Sequence, residues 1–134
     1  MPMRLTCLCG KVAIALSARP DIAFQCNCTL CSKTGARWGR VPPAEVAIRG
    51  ETHSWQRADK PDPAADVHFC PDCGVTTHFT LTPTAVACHG NQFVGVNLAL
   101  AEPHEMAGVS LQFPDGRSWT GDGELTFVRE AEVL

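Results

Sequence analysis

The chain has 134 residues, 45% of them hydrophobic, which is the length of one domain and enough apolar side chain for a single core. Its 11 basic and 14 acidic residues leave a net charge of -3, with no lysine or arginine run to track a phosphate backbone, which argues against a nucleic-acid partner. No apolar stretch approaches the roughly 20 residues that cross a bilayer, and the opening MPMRLTCLCG lacks the apolar segment of a secretory signal, so a cytoplasmic protein with no membrane partner is expected.

Glycine or proline recurs every several residues from Gly10 to Gly121, leaving little room for long helices. Residues 11–17 alternate, with Val12, Ile14 and Leu16 on one face, and predict a strand. Residues 28–38 allow a helical turn. Residues 59–66, with Pro61 and Pro63, have almost nothing to bury and predict a surface loop. Strands follow over 67–69, 76–82 and 93–98, then a short helix over 98–106 in spite of Pro103, then strands over 109–113 and 124–128. The expected fold is mainly β: one small domain over residues 1–134, built of antiparallel sheets with few short helices and stapled by cysteine-ligated zinc. Trp55, Trp119, Phe69, Phe79, Phe93, Phe113 and Phe127 are expected to fill the core between strands.

Cysteine spacing carries the chemistry. Of eight cysteines, seven fall into three clusters: Cys7 with Cys9, Cys26 with Cys28 and Cys31, and Cys70 with Cys73. Reducing cytoplasm disfavours stable disulfides. In Phe69-Cys70-Pro71-Asp72-Cys73-Gly74 a tight turn aims two sulfurs at one ion, the pattern of a zinc knuckle. A thioredoxin-like pair shares the bare spacing but needs a helix after it, where this chain has a strand pattern. A closed tetrahedral site needs two more ligands, and Cys7 and Cys9 are the available pair, placed by their spacing on one side of an extended segment. That site is structural on this reading.

Cys26-Asn27-Cys28-Thr29-Leu30-Cys31 brings three thiols together with no fourth cysteine nearby. Three protein ligands and one open position is the arrangement of a catalytic zinc. The same thiols also suit a second structural site completed by Cys88, by His53, His68, His78, His89 or His104, or by a partner chain, and an iron-sulfur cluster is a further alternative. Cys88, alone in an apolar segment, reads most simply as a buried small hydrophobe. His68 and His78 flank the knuckle within reach of a metal or the groups around it, although surface or core histidine is the simpler reading.

Taken together, Cys7-Leu8-Cys9-Gly10, the run from Cys26 through Cys31 into Ser32-Lys33-Thr34-Gly35-Ala36, and Phe69 through Gly74 resemble the glutathione-dependent formaldehyde-activating enzyme family, which includes proteins related to centromere protein V. Asn27 and Ser32 stand where many members carry histidine and arginine. The resemblance implies a small β-sheet domain with a structural zinc on Cys7, Cys9, Cys70 and Cys73 and a catalytic zinc on Cys26, Cys28 and Cys31. The activity it implies is that of a carbon-sulfur lyase of the S-(hydroxymethyl)glutathione synthase type. Its substrates would be adducts of glutathione, or a related thiol, with formaldehyde or another small aldehyde.

Three thiolates would leave such a zinc site negatively charged and a weak Lewis acid, which favours orienting and exchanging thiols over strong carbonyl activation. Glutathione carries two carboxylates, and Lys33, Arg37 and Arg40 directly follow the second cluster, either to bind them or simply as a solvated face. Trp38 beside them is a pocket wall or a packed core residue. The competing classes are a non-enzymatic zinc-binding interaction module with both zincs structural, and a thiol-redox or metal-buffering protein.

Overall fold

A computed structural model describes residues 1–121 and 123–134. The fold is mainly β. The strands β1 (Met3–Thr6), β2 (Ala13–Leu16) and β5 (Val46–Arg49) form a three-stranded antiparallel sheet in the order β1-β2-β5. Its register places Met3 opposite Leu16, Leu5 opposite Ile14 and Ile14 opposite Ile48, so one face is continuously apolar and buried. Val12, Ile14 and Leu16 are buried as the alternation predicts.

The remaining strands are β3 (Ile22–Phe24), β4 (Trp38–Val41), β6 (His53–Trp55), β7 (Ala65–Phe69), β8 (Thr76–Leu81), β9 (Val94–Asn97), β10 (Ser110–Gln112) and β11 (Glu132–Val133). They make an eight-stranded sheet in the order β11-β10-β3-β4-β9-β8-β7-β6. All its pairs are antiparallel except β3 with β10, a departure from the expected all-antiparallel arrangement. A parallel pair needs a long crossover, and here most of the chain lies between the two strands. The main core gathers Leu5, Ile14, Leu16, Val41, Val96, Leu98, Leu111 and Phe113 from both sheets. Each fully buried aliphatic side chain of this size contributes about 2 kcal/mol.

The helices are short. α1 (Thr29–Thr34) lies within the helical turn expected over 28–38; Cys28 is its N-cap, and Gly35 ends it at φ 67°. α2 (Pro83–His89) has no counterpart in the sequence reading, although Thr82 caps it by accepting from the Ala85 N–H and Pro83 sits where no N–H is needed. The helix expected over 98–106 is instead two separate 3-10 turns, Leu98–Leu100 and Pro103–Met106, because Pro103 cannot continue a hydrogen-bonded turn.

Three further expectations are corrected. Residues 124–128 form no strand: Phe127 makes one isolated bridge to Pro114, which has no N–H to extend a ladder. Trp55, Trp119 and Phe127 are 39%, 43% and 52% exposed rather than core residues; Trp55 lies on the fully exposed edge strand β6, and the other two lie on the irregular C-terminal segment. Cys88 is exposed, because its apolar segment is the surface helix α2 and not a buried strand. The loop expected over 59–66 ends two residues early, where β7 begins. It is tied down by Thr82, whose N–H bonds the Ala64 carbonyl at 2.9 Å and whose hydroxyl bonds the Pro63 carbonyl at 3.0 Å.

Candidate metal centres and the cavity above one of them

The turn joining β1 to β2 carries Cys7 and Cys9, and the turn joining β7 to β8 carries Cys70 and Cys73. Cys7 and Cys9 do not lie on an extended segment as expected. The chain reverses there, with the Gly10 N–H bonded to the Cys7 carbonyl at 3.1 Å, and Gly10 and Gly74 close their turns at φ 81° and 74°. All four sulfurs lie within 4.8 Å of one another. Cys9 stands 3.6 Å from both Cys7 and Cys70, close to the edge of about 3.8 Å that follows from tetrahedral zinc-sulfur bonds of about 2.3 Å. The Val12 N–H donates to the Cys7 sulfur at 3.3 Å, and the backbone N–H groups of Cys9 and Val75 draw the Cys73 thiol down to about 6. Cys7 and Cys70 are buried against Val12.

The second group is local. Cys26 follows β3, Cys28 caps α1 and Cys31 lies inside it, and their sulfurs are again within 4.8 Å of one another. Each sulfur accepts one N–H: Cys26 from the Cys28 backbone at 3.4 Å, Cys28 from the Cys31 backbone at 3.4 Å, and Cys31 from the Trp38 indole at 3.3 Å. Trp38 is buried, with its ring edge-on to Phe79 at 4.8 Å. Asn97 fixes the start of β4 through its Oδ1, which accepts from the Arg37 N–H, while its Nδ2 donates to the Thr76 carbonyl.

Cys28 and Cys31 are driven in opposite directions. Contacts with Cys26 and Cys31 pull Cys28 down to about 2, whereas contacts with Cys26 and Cys28 push Cys31 far above the usual thiol range. A thiolate at Cys28 opposes ionisation of Cys31, a conflict that a divalent cation relieves. Both groups can hold a metal ion, and soft thiolate donors at these spacings suit zinc. Among the described residues no further Cys, His, Asp or Glu joins the trio. His68 and His78 stack on each other and bond to Thr52, Thr80 and Thr77 instead.

A cavity of about 500 Å³ opens directly above Cys26, Cys28 and Cys31. Phe24, Trp38 and Phe79 form its aromatic side, residues 60–65 a second wall, and Gly116, Trp119 and Leu125 a third. Gly116 lies so close that a Cβ there would stand 2.4 Å from the Cys26 sulfur. A second concavity of about 520 Å³ lies against Cys26 and Cys31 and is flanked by Asn27, Ser32, Arg37 and Arg129.

Lys33, Arg37 and Arg40 are not brought together. Arg40 lines the first cavity, its guanidinium 4.8 Å and 5.0 Å from the rings of Phe24 and Phe93; Arg37 lines the second and bonds Gln25; Lys33 is exposed and lines neither. Arg57 and Lys60, which the sequence reading missed, line the first cavity. Arg57 is paired with Asp59 at 2.7 Å, and its charge also helps hold the Cys28 thiol down. Their one signal in the sequence is the concentration of cations beside the prolines of Arg57-Ala58-Asp59-Lys60-Pro61.

The family model described as glutathione-dependent formaldehyde-activating enzyme matches residues 2–109. The chain belongs to this family. All seven clustered cysteines of this glutathione-dependent formaldehyde-activating enzyme family member fall inside the match, whereas the wall formed by Gly116, Trp119 and Leu125 lies beyond it. Among solved structures, a crystal structure of a Rhodobacter sphaeroides protein is similar, at 26% identity and a TM-score of 0.60, covering 81% of this chain and 99% of that one. No curated protein matches. No helix among the described residues is long and apolar enough to cross a membrane.

Proposed function

We propose that the protein is a zinc-dependent carbon-sulfur lyase-type enzyme that makes and breaks adducts of glutathione, or a related thiol, with formaldehyde or another small aldehyde. The observation that carries this reading is the trio of Cys26, Cys28 and Cys31 at the floor of the cavity, with no fourth donor among the described residues. Cys7, Cys9, Cys70 and Cys73 hold a structural zinc, and residues 1–134 act as one zinc-stapled domain. The eight unpaired cysteines suit a reducing compartment, the cytoplasm.

Cys26, Cys28 and Cys31 would hold a zinc ion, which would supply the positive charge that favours the thiolate form of a thiol substrate. The chain's own residues do the rest. The three N–H donors spread the negative charge of the sulfurs, and the Trp38 indole N–H fixes Cys31. Arg37, beside the second concavity, meets a carboxylate of the substrate. The aromatic wall keeps water from the reacting carbon. In the forming direction the sulfur-carbon bond is made as the aldehyde double bond opens. The thiol's proton ends on the former carbonyl oxygen, giving a hydroxyalkyl thioether; the reverse step returns thiol and aldehyde.

Replacement of Cys28→Ser tests this. The variant should keep its fold, lose about one zinc per chain and lose adduct turnover; retained turnover refutes the reading. A non-enzymatic module with two closed sites predicts instead that a small chelator strips both ions at the same rate.

A further inference from the structure

Two concavities meet at the same two sulfurs, and they differ in chemistry. Cys26 and Cys31 line both. The concavity of about 520 Å³ is lined by Asn27, Ser32, Arg37 and Arg129; Arg129 is paired with Glu132 at 3.2 Å, and Arg37, which is in no ion pair among the described residues, is the cation suited to a carboxylate of a peptide-like thiol. The cavity of about 500 Å³ presents Phe24, Leu30, Trp38, Phe79, Trp119 and Leu125. Two of its charged groups are already engaged, Arg57 by Asp59 and Arg40 by the rings of Phe24 and Phe93. Cavities of this size accommodate drug-sized ligands. Formaldehyde, with two heavy atoms, would leave nearly all of it to water.

We infer that the apolar cavity takes the carbon body of the aldehyde, and that the substrates of this site are thiol adducts of aromatic or similarly bulky apolar aldehydes, with Trp119 and Leu125 as specificity-determining residues. The inference rests on the thiol-aldehyde reading of the three-cysteine site. Trp119 lines the cavity and is 43% exposed, and its indole N–H is held by the Gly123 carbonyl at 3.3 Å. The segment bearing it is anchored to the cysteine loop. Asn27 donates to Asp115 at 2.8 Å and accepts from the Arg117 N–H at 2.9 Å, while the Arg117 Nε donates to the Asn27 carbonyl at 3.1 Å. The wall is thus set against the metal-binding loop by a chain segment outside the family match, where a member can acquire its own substrate preference.

Calorimetric titration of the zinc-loaded chain with S-methylglutathione and S-benzylglutathione, stable mimics of a small and a bulky adduct, tests this. The benzyl derivative should bind on the order of tenfold tighter or more, the gain of burying one ring. That preference should collapse in both Trp119→Ala and Leu125→Ala, two variants that need not fail together. Equal affinities, or a preference unchanged in both variants, overturn the inference and leave the glutathione reading standing. If neither glutathione derivative binds but benzyl mercaptan does, tighter than ethanethiol and with Trp119 required for the difference, the inference stands and glutathione is the wrong thiol. Binding of none of the four overturns both.

Discussion

The indole Nε1 of Trp38 donates to the sulfur of Cys31 at 3.3 Å, the one side-chain donor among the three N–H groups that face the trio. Trp38→Phe keeps the ring that meets Phe79 edge-on and removes only this donor. Groups in this position around a metal are worth about tenfold to a hundredfold in affinity. Competition with a chromophoric chelator should show the weaker-binding zinc released about tenfold more readily and the other zinc unchanged; equal release from both would contradict the assignment.

Gly116 packs against Cys26 and Cys28. A Cβ would fall 2.4 Å from the Cys26 sulfur and 3.2 Å from the Cys28 Cβ, so Gly116→Ala must push the cysteine loop out of place. Overpacking of this kind costs about 1–3 kcal/mol. Metal analysis should find close to one zinc per chain, held by the four-cysteine site, with the fold preserved by circular dichroism. Two zincs per chain would show that the loop yields without cost.

Cys70 is fully buried and joins turns far apart in the chain. Cys70→Ser should lower the melting temperature by on the order of 10 °C or more, because a structural zinc contributes directly to folding. Cys28→Ser should shift it far less. Thermal unfolding of the two variants side by side measures the contrast, and equal shifts would remove the distinction between the sites.

Acid should act through His78. It stacks on His68 with 4.3 Å between ring centres, and burial, reinforced by His68, holds it at about 4 against an ordinary 6.5. Between these values the unfolded chain binds a proton that the folded chain refuses. Stability present above about pH 6.5 is therefore lost as pH falls towards 4, by on the order of 3 kcal/mol. Loss of zinc also destabilises in acid, so the measurement is the difference between the native chain and His78→Gln, whose stability should fall less steeply across this window.

The cysteine groups were legible because each cluster sits at a short spacing that the backbone cannot greatly rearrange: the structure gathers Cys7, Cys9, Cys70 and Cys73 in one place and Cys26, Cys28 and Cys31 in another, where each group could hold a metal ion. The strands of the middle were legible where side chains alternate, as at Val12, Ile14 and Leu16. β1, β3, β4, β5, β6 and β11 were not, being two to four residues each, too short for a period to register. Residues 124–128 carry a strand pattern that fails for want of a partner, since Pro114 opposite offers no N–H. Cys88 looked buried because helix α2 presents small apolar residues to solvent. The cavity itself was out of reach, because Arg57, Lys60, Trp119 and Leu125 come to the trio only through tertiary contacts that no local spacing encodes.

The two cysteine groups also differ in how far the chain must travel to make them. Cys9 and Cys70 are 61 residues apart, whereas Cys26 to Cys31 is one turn of chain. Closing the longer span costs roughly 2 kcal/mol more in chain entropy. During synthesis, or on refolding with scarce zinc, the trio can capture an ion before any sheet exists, while the four-cysteine site must wait for β1, β2, β7 and β8 to dock. The proposed zinc assignment therefore predicts that the three-cysteine site fills first and the four-cysteine site last, as the fold is completed.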